Sequence, residues 1–324
     1  MNELIRFPHL GWEFYVGKGI TLGNFTIAYY GIVIAVGMLL AMWMAQREAK
    51  RTGQDPDHYT DLSFIAIFFG ILGARIYYVI FEWDYYSNHL MDIVNLRKGG
   101  LAIYGGIILG VIAVLIYTRI KHLNPWLVLD TVLLVVPIGQ ILGRWGNFFN
   151  REAYGTYTDS LLAMQIPVSE AQVVTSELME HSVTIFGEAF IQVHPTFLYE
   201  SVWNLGVFLL LMLYRKHRKA YGEITALYLI GYGLGRTWIE GLRMDSLMLG
   251  NTGIRVSQAL SIALVLAGII IFLARRHYCA TIQTEEKRGS SESASMGAKI
   301  ASKDVDSIAE SIVAEQVESE GKGE

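Results

Sequence analysis

Leu62-Ser-Phe-Ile-Ala-Ile-Phe-Phe-Gly-Ile-Leu-Gly-Ala-Arg-Ile-Tyr-Tyr-Val-Ile-Phe81 carries a single charged residue, Arg75, in its whole length. A helix needs about twenty mainly apolar residues to cross a bilayer, and this run supplies them. Working outward, six further stretches approach the same length and character: 25–45, 101–117, 126–142, 196–214, 224–239 and 256–274. Those at 101–117, 126–142 and 224–239 are short or interrupted by glycine and charged residues. The composition of the 324-residue chain agrees, with 52% hydrophobic and 17% charged residues and a mean hydropathy of +0.36. That is too apolar and too poor in charge for an ordinary soluble protein of this length. The expected fold class is therefore all-α, a polytopic membrane helix bundle with seven transmembrane spans.

Several function classes fall away on composition. One cysteine, Cys279, excludes a disulfide framework and any cysteine-rich zinc or iron–sulfur site. A formal charge of −4 gives no basic field for nucleic acid. The eight histidines are scattered without metal-ligand spacing, and no Walker loop, nucleotide fingerprint or Gly-x-Ser-x-Gly elbow is present. ATP hydrolysis, metal catalysis and serine-hydrolase chemistry lack support, and neither a metal nor a cofactor is expected.

Basic residues set the topology. They follow the first, third, fifth and seventh stretches: Arg47, Lys50 and Arg51; Arg119 and Lys121; Arg215, Lys216, Arg218 and Lys219; Arg275 and Arg276. Lysine and arginine near span ends stay cytoplasmic, which predicts the N-terminus outside and the C-terminus in the cytoplasm. Arg97, Lys98, Arg243 and Arg255 then fall on the outer side, as does the segment 148–195, whose only Lys or Arg is Arg151. Residues 1–24 read as an extracytoplasmic N-terminal segment with no signal-peptide core, and 25–278 as the seven-span domain. Residues 279–324 contain no aromatic residue and are rich in Ser, Glu and Lys, which predicts a disordered cytoplasmic tail. Within it, Ile300, Val305, Ile308 and Ile312 have the spacing of a short amphipathic helix.

Ionisable groups at membrane depth cost several kcal/mol unless paired or hydrated, so each is a functional candidate. The densest group is Gly143-Arg-Trp-Gly-Asn-Phe-Phe-Asn-Arg-Glu-Ala-Tyr-Gly155. If the helix continues through it, Arg144, Asn147 and Arg151 share one face. The bland reading is a polar helix end with a snorkelling arginine. Tyr232, Arg236, Glu240 and Arg243 also lie on one helical stripe, by spacings of four, four and three. That stripe is either a structural ion pair or a net-positive site for a phosphate, which arginine binds through its planar fork.

A third group, Gly99-Gly-Leu-Ala-Ile-Tyr-Gly-Gly106, suits close helix packing or a helix break placing Tyr104 in a cavity. A fourth, His194-Pro-Thr-Phe-Leu-Tyr-Glu200, fits a helix start in which Glu200 has either a capping or a site role. Arg75 and Asp130 are further buried-charge candidates. Together these groups point to a cationic pocket for an anionic phospholipid headgroup. Composition and spacing stop there, leaving an enzyme, a lipid flippase and a small-anion transporter open.

The motifs carry the reading further. Residues 143–155 resemble the signature of the bacterial prolipoprotein diacylglyceryl transferases, Gly-Arg-x-Gly-Asn-Phe-x-Asn-x-Glu-x-x-Gly, at every fixed position. Gly-Ala-Arg-Ile-Tyr-Tyr around Arg75, the glycine-rich segment at 99–106, His-Pro-Thr-Phe-Leu-Tyr-Glu and the stripe from Tyr232 to Arg243 are similar to that family too, in its order. The resemblance spans about 25–274.

The resemblance implies a multi-pass enzyme of the bacterial cytoplasmic (inner) membrane with its site toward the outer leaflet. It would move the diacylglyceryl group of phosphatidylglycerol onto the lipobox cysteine of a prolipoprotein signal peptide, form a thioether and release glycerol 1-phosphate. Its expected partners are these two substrates and membrane lipids, with no nucleic acid.

The family's essential phosphatidylglycerol-contacting arginine corresponds to Arg144. Asn147 and Gly155 belong to the same signature, Arg236 matches the second important arginine with Glu240 one turn on, and Tyr30 before Gly31 matches the family tyrosine. Asn150, Tyr232 and Arg243 complete the expected lipid contacts. Many members carry His before the double glycine where this chain has Tyr104. Tyr, with a reference pKa of about 10, is a poor general base, which leaves Tyr104 to orient the lipid or relay a proton. In this reading Arg144 and Arg236 hold the phosphate while Glu152, Glu240 or Tyr104 assists removal of the thiol proton.

Overall fold

The computed structural model describes residues 3–23, 25–96, 99–244, 248, 253 and 255–282. The chain divides into two compact units, Met1–Phe272 and Leu273–Glu324. The second is described only over 273–282, which is helical and places the Arg275 guanidinium 5.2 Å from the centre of the Tyr278 ring. Of the expected tail, 279–282 are helical, and the pattern at Ile300, Val305, Ile308 and Ile312 lies outside the described residues, as do Arg97 and Lys98.

The first unit opens with strands β1 (Glu3–Phe7), β2 (Trp12–Val16), β3 (Gly19–Leu22) and β4 (Phe25–Ala28). Helices α1 (Tyr29–Arg51), α2 (Asp57–Phe81), α3 (Trp83–Tyr86), α4 (Ile103–Ile120) and α5 (Pro125–Asn150) follow. Next come β5 (Met164–Pro167), α6 (Ser176–Glu180), β6 (Val183–Ile185), β7 (Glu188–Val193), α7 (Thr196–Tyr214) and α8 (Glu223–Glu240). A last helix, α9, runs over Val256–Ile282.

Six of these helices, α1, α2, α4, α5, α7 and α9, are long and apolar enough to cross a membrane. Their outward faces carry large apolar side chains, Phe64, Phe68 and Ile80 among them, that stand more than 60% exposed. A surface of that kind belongs in hydrocarbon. The stretch expected at 224–239 is also a helix, α8, but its eighteen residues hold Glu223, Arg236 and Glu240, so it lacks the charge-poor apolar run of the other six.

The helix ends follow local chemistry. The Asn124 side chain accepts the backbone N–H groups of Trp126 and Leu127 at 3.0 and 3.2 Å, and Pro125 occupies the first turn of α5. At its far end Arg151 adopts a left-handed φ of 55° and stops the helix. Helices α2 and α4 pack backbone to backbone. A Cβ on Gly105 would collide with the Tyr77 Cβ and the Gly73 carbonyl, and one on Gly106 would lie 3.0 Å from the Gly70 carbonyl. Small residues permit this close approach.

The all-α expectation holds for the helical bundle and is corrected outside it. Segment 3–16 and segment 164–193 build one antiparallel five-stranded sheet, in the order β2-β1-β5-β7-β6, joined where Arg6 pairs with Gln165. β3 and β4 form a separate hairpin covering 25–28, residues expected to begin the first span. Ile5, Ile166, Leu178, Ile191 and Val193 are buried together under the five-stranded sheet. The strands are three to six residues long; β1 with β2 and β6 with β7 are local hairpins, and the pairing of β1 with β5 that joins them into one sheet is remote in sequence. No local periodicity announces such a sheet.

This head ties three helix ends together: the start of α1, the end of α5 and the start of α7. The opposite ends are also mutually bound. The Arg215 guanidinium pairs with Glu48, joining the ends of α7 and α1. Asp130 at the start of α5 accepts from the Gly222 N–H at 2.8 Å, the Thr225 N–H at 2.9 Å and Arg218 at 3.2 Å. Asp130 is therefore a clamp on the turn between α7 and α8.

Candidate functional site

The head-side ends of α5, α7 and α8 bring together side chains that the sequence spreads over a hundred residues. Glu200 lies just over one turn into α7, 4% exposed. Its Oε2 is 2.8 Å from Arg144 Nη2 of α5, and its Oε1 is 3.0 Å from Arg236 Nη1 of α8. Arg243, just beyond α8, stands 3.8 Å from the same Oε1. Arg236 also reaches Glu240 Oε2 at 2.6 Å, the pairing its four-residue spacing predicts. Three guanidiniums thus face two carboxylates, an arrangement that tolerates burial and keeps one positive charge in excess.

A second chain of bonds leads from Arg144 toward the head. Arg144 Nη1 donates to Asn147 Oδ1 at 3.2 Å, and Asn147 Nδ2 donates to Glu152 Oε1 at 2.8 Å. Gly146, between them in sequence, packs against the ring of Tyr30, which occupies the space a Cβ would need. Gly155 fills a similar role at the junction with the head. It is bridged to Arg243, donates its N–H to the His194 carbonyl at 3.0 Å, and leaves no room for a side chain. Tyr232 stacks on Tyr228 at 5.7 Å, one turn before Arg236. Glu240 carries a further contact, its carbonyl accepting from Arg255.

The structure gathers Arg144, Asn147, Glu152, Arg236, Glu240 and Arg243 into one network, with Tyr30, Gly155 and Tyr232 packed at its edges. Two expected members stand apart. Asn150 lies with Lys18, Glu152, Glu170 and Gln172 around a hollow of about 390 Å³. Tyr104, in the first turn of α4, meets Ser257 of α9, hydroxyl to hydroxyl, at 3.1 Å.

The expected face shared by Arg144, Asn147 and Arg151 is corrected. The helix ends before Arg151, whose buried guanidinium turns into the head, donating to the carbonyls of Val16 and, at 3.2 Å, Phe149. Burial lowers its pKa from the ordinary guanidinium value, opposed by Glu170 3.7 Å away. Arg151 is thus a tie between α5 and the sheet.

Glu200 is the residue whose role the sequence left undecided between cap and site. Its carboxylate makes no cap and instead holds the arginines. Its depth in α7 beside an apolar run was the available signal. What that signal lacked was the identity of the partners, which come from α5 and from residues 236–243.

A network of guanidiniums, one amide and a half-buried carboxylate can bind a phosphate, offset charge building on it and accept a proton nearby. Comparison with known proteins shows the family. Residues 18–274 match the model of the family described as prolipoprotein diacylglyceryl transferase. Proteins named phosphatidylglycerol--prolipoprotein diacylglyceryl transferase are similar to this chain over most of its length. That of Clostridioides difficile (strain 630) is 42% identical, over 79% of this chain and 95% of its own. That of Thermosynechococcus vestitus is 43% identical, over 78% and 90%, and that of Limosilactobacillus reuteri (strain DSM 20016) is 44% identical, over 79% and 89%. With a guanidinium cluster built on the signature at 143–155 and a family match over 18–274, the chain belongs to the prolipoprotein diacylglyceryl transferase family.

Proposed function

We propose that this chain transfers the diacylglyceryl group of phosphatidylglycerol to the lipobox cysteine of prolipoproteins, in the cytoplasmic (inner) membrane of a bacterium. The observation that carries the reading is the convergence of Arg144, Arg236 and Arg243 on the single carboxylate of Glu200. A lipid phosphate entering this cluster exchanges one shared anion for another.

The substrate thiolate attacks the glyceryl carbon that bears the phosphate. A carbon–sulfur bond forms, the carbon–oxygen bond to phosphate breaks, and the electron pair leaves on glycerol 1-phosphate. Arg144 and Arg236 offset the charge growing on the departing phosphate, a contribution of about 3–4 kcal/mol per well-placed donor. The thiol has a reference pKa of about 8.5 and reacts as the thiolate, so its proton must go to a base. Glu240 is engaged by Arg236. Glu152 has only the neutral Asn147 amide on its Oε1 among the described bonds, and we assign it the proton. Tyr30, Asn147, Asn150, Gly155, Tyr232 and Arg243 are the proposed lipid contacts, and Tyr104 orients the lipid.

The proposed topology has seven spans, with the head outside and the C-terminus in the cytoplasm. α8 supports the seventh span: it starts beside Asp130 and Tyr214 at the end away from the head and finishes beside Gly155. The basic clusters Arg47 to Arg51, Arg119 to Lys121 and Arg215 to Lys219 lie at that far end, which supports its cytoplasmic placement.

Purified protein incubated with phosphatidylglycerol and a lipobox peptide tests the reading. The expected product is a peptide heavier by one diacylglyceryl group, stable to thioester cleavage. Intact protein that makes no such product, and instead moves lipid or small anions across vesicles, overturns it in favour of a transporter.

A further inference from the structure

Arg75, the lone charge in the stretch 62–81, takes no part in the chemistry above, yet it is buried in α2 at 5% exposure. Among the described residues its guanidinium is met by backbone carbonyls. Nε donates to Ile93 O, and Nη1 donates to both Gly99 O and Gly100 O, each at 2.8 Å. Nη2 donates to Asp92 O, and the Tyr86 ring lies 5.1 Å from the guanidinium carbon. Four carbonyls, two from the middle of the connection between α2 and α4 and two from near its end, therefore converge on one planar fork. Only arginine presents that many fixed donors.

The connection is held closely where it leaves Arg75. Gly100 has a φ of 78°, and a Cβ there would stand 2.5 Å from Arg75 Nη1 and 2.7 Å from the Tyr78 ring. Two residues on, the Ala102 N–H donates to the Ala74 carbonyl at 3.0 Å. α4 begins at the next residue, with Tyr104 in its first turn and Gly105 pressed on the Gly73 carbonyl.

We infer that Arg75 is a positioning residue for Tyr104: it fixes the backbone at Asp92, Ile93, Gly99 and Gly100, and so the start of α4 from which the Tyr104 hydroxyl meets Ser257. The inference rests on the proposed reading of Tyr104 as a group that orients the lipid. Lysine cannot replace Arg75, because one ammonium is a single point of charge and cannot meet four carbonyls in a planar fork.

A double-mutant cycle tests this on purified full-length protein with phosphatidylglycerol and a lipobox peptide. Arg75→Lys and Tyr104→Phe each lower the turnover number, by about tenfold to a hundredfold for a misplacement near 1 Å. The double variant is then no slower than the worse single one, because both act through one group. Gly100→Ala, which displaces the same fork from the carbonyl side, reproduces the Arg75→Lys loss and adds nothing to it. Thermal unfolding of Arg75→Lys separates lost positioning from lost fold. Multiplying losses in the double variant, or full turnover in Arg75→Lys, overturns the inference and leaves the reading of Tyr104 standing. Full turnover in Tyr104→Phe alone removes that reading, and the inference with it.

Discussion

Arg144 and Arg236 grip opposite oxygens of the Glu200 carboxylate, at 2.8 and 3.0 Å. The two arginines come from different helices, and their spacing is set by an anion the protein itself supplies. Removing that anion leaves the guanidiniums facing one another. Breaking a buried pair by deleting one partner costs about 3–5 kcal/mol, so Glu200→Ala is expected to lower the unfolding temperature in detergent and to lose most peptide lipidation. Added phosphatidylglycerol should raise the unfolding temperature of this variant more than that of the parent, because the phosphate replaces the missing charge. Equal shifts in the two proteins would separate Glu200 from the lipid site.

Arg144 serves two acceptors at once, Glu200 Oε2 and Asn147 Oδ1. A lysine ammonium is a single point of charge and cannot hold both geometries. Arg144→Lys should therefore lose about 10²- to 10³-fold in turnover, the range seen when one preorganised donor is removed. Arg144→Ala should abolish product while the protein still inserts. Mass spectrometry of the lipobox peptide reads both, and unchanged turnover in either variant removes Arg144 from the site.

Gly155 stands where a Cβ would be 2.8 Å from the His194 Cβ and 2.9 Å from the Leu242 carbonyl. Neither neighbour is the tip of a flexible side chain, so backbone must move. Gly155→Ala is expected to cost about 1–3 kcal/mol, the usual price of overpacking. Since Gly155 is bridged to Arg243, the displacement should also raise KM for phosphatidylglycerol. A variant with parental unfolding temperature and KM would contradict this junction.

Outside the membrane, Lys18 Nζ lies 2.6 Å from Glu170 Oε2. The hydrogen bond from Lys18, chiefly, holds the Glu170 carboxyl below the usual carboxylate range, with burial opposing it. A carboxyl whose folded pKa is depressed stabilises the fold above its unfolded value of about 4.3 and loses that contribution as pH falls through the folded value. Melting curves at pH 7 and below pH 4 should therefore differ less in Glu170→Gln than in the parent. The same acid sensitivity in both proteins would exclude this pair as its source.

The spans were legible because a membrane helix is a local object. The run at 62–81 declares itself by length and apolarity alone, whatever lies elsewhere in the chain. α8 was one of three less legible stretches, since Arg236 interrupts its apolar run and pairs with Glu240 at its end. The head sheet was not legible at all. β1 spans five residues and finds a partner in β5, more than a hundred and fifty residues away, so nothing in either strand signals the other.

The same division runs through the site. Sequence by itself singled out the candidate arginines: the signature at 143–155, through its resemblance to the family, and the stripe from Tyr232 to Arg243, through its helical spacing, point to Arg144 and Arg236. It also placed Arg236 and Glu240 within pairing distance by their four-residue spacing, leaving open an ion pair or a phosphate site, and the structure shows the pair. Only the tertiary structure decided that Glu200 joins the two arginines, that Arg151 leaves their face for the head, and that Arg75 is spent on carbonyls. Each depends on which helix ends meet, and that is settled by burial across the whole fold.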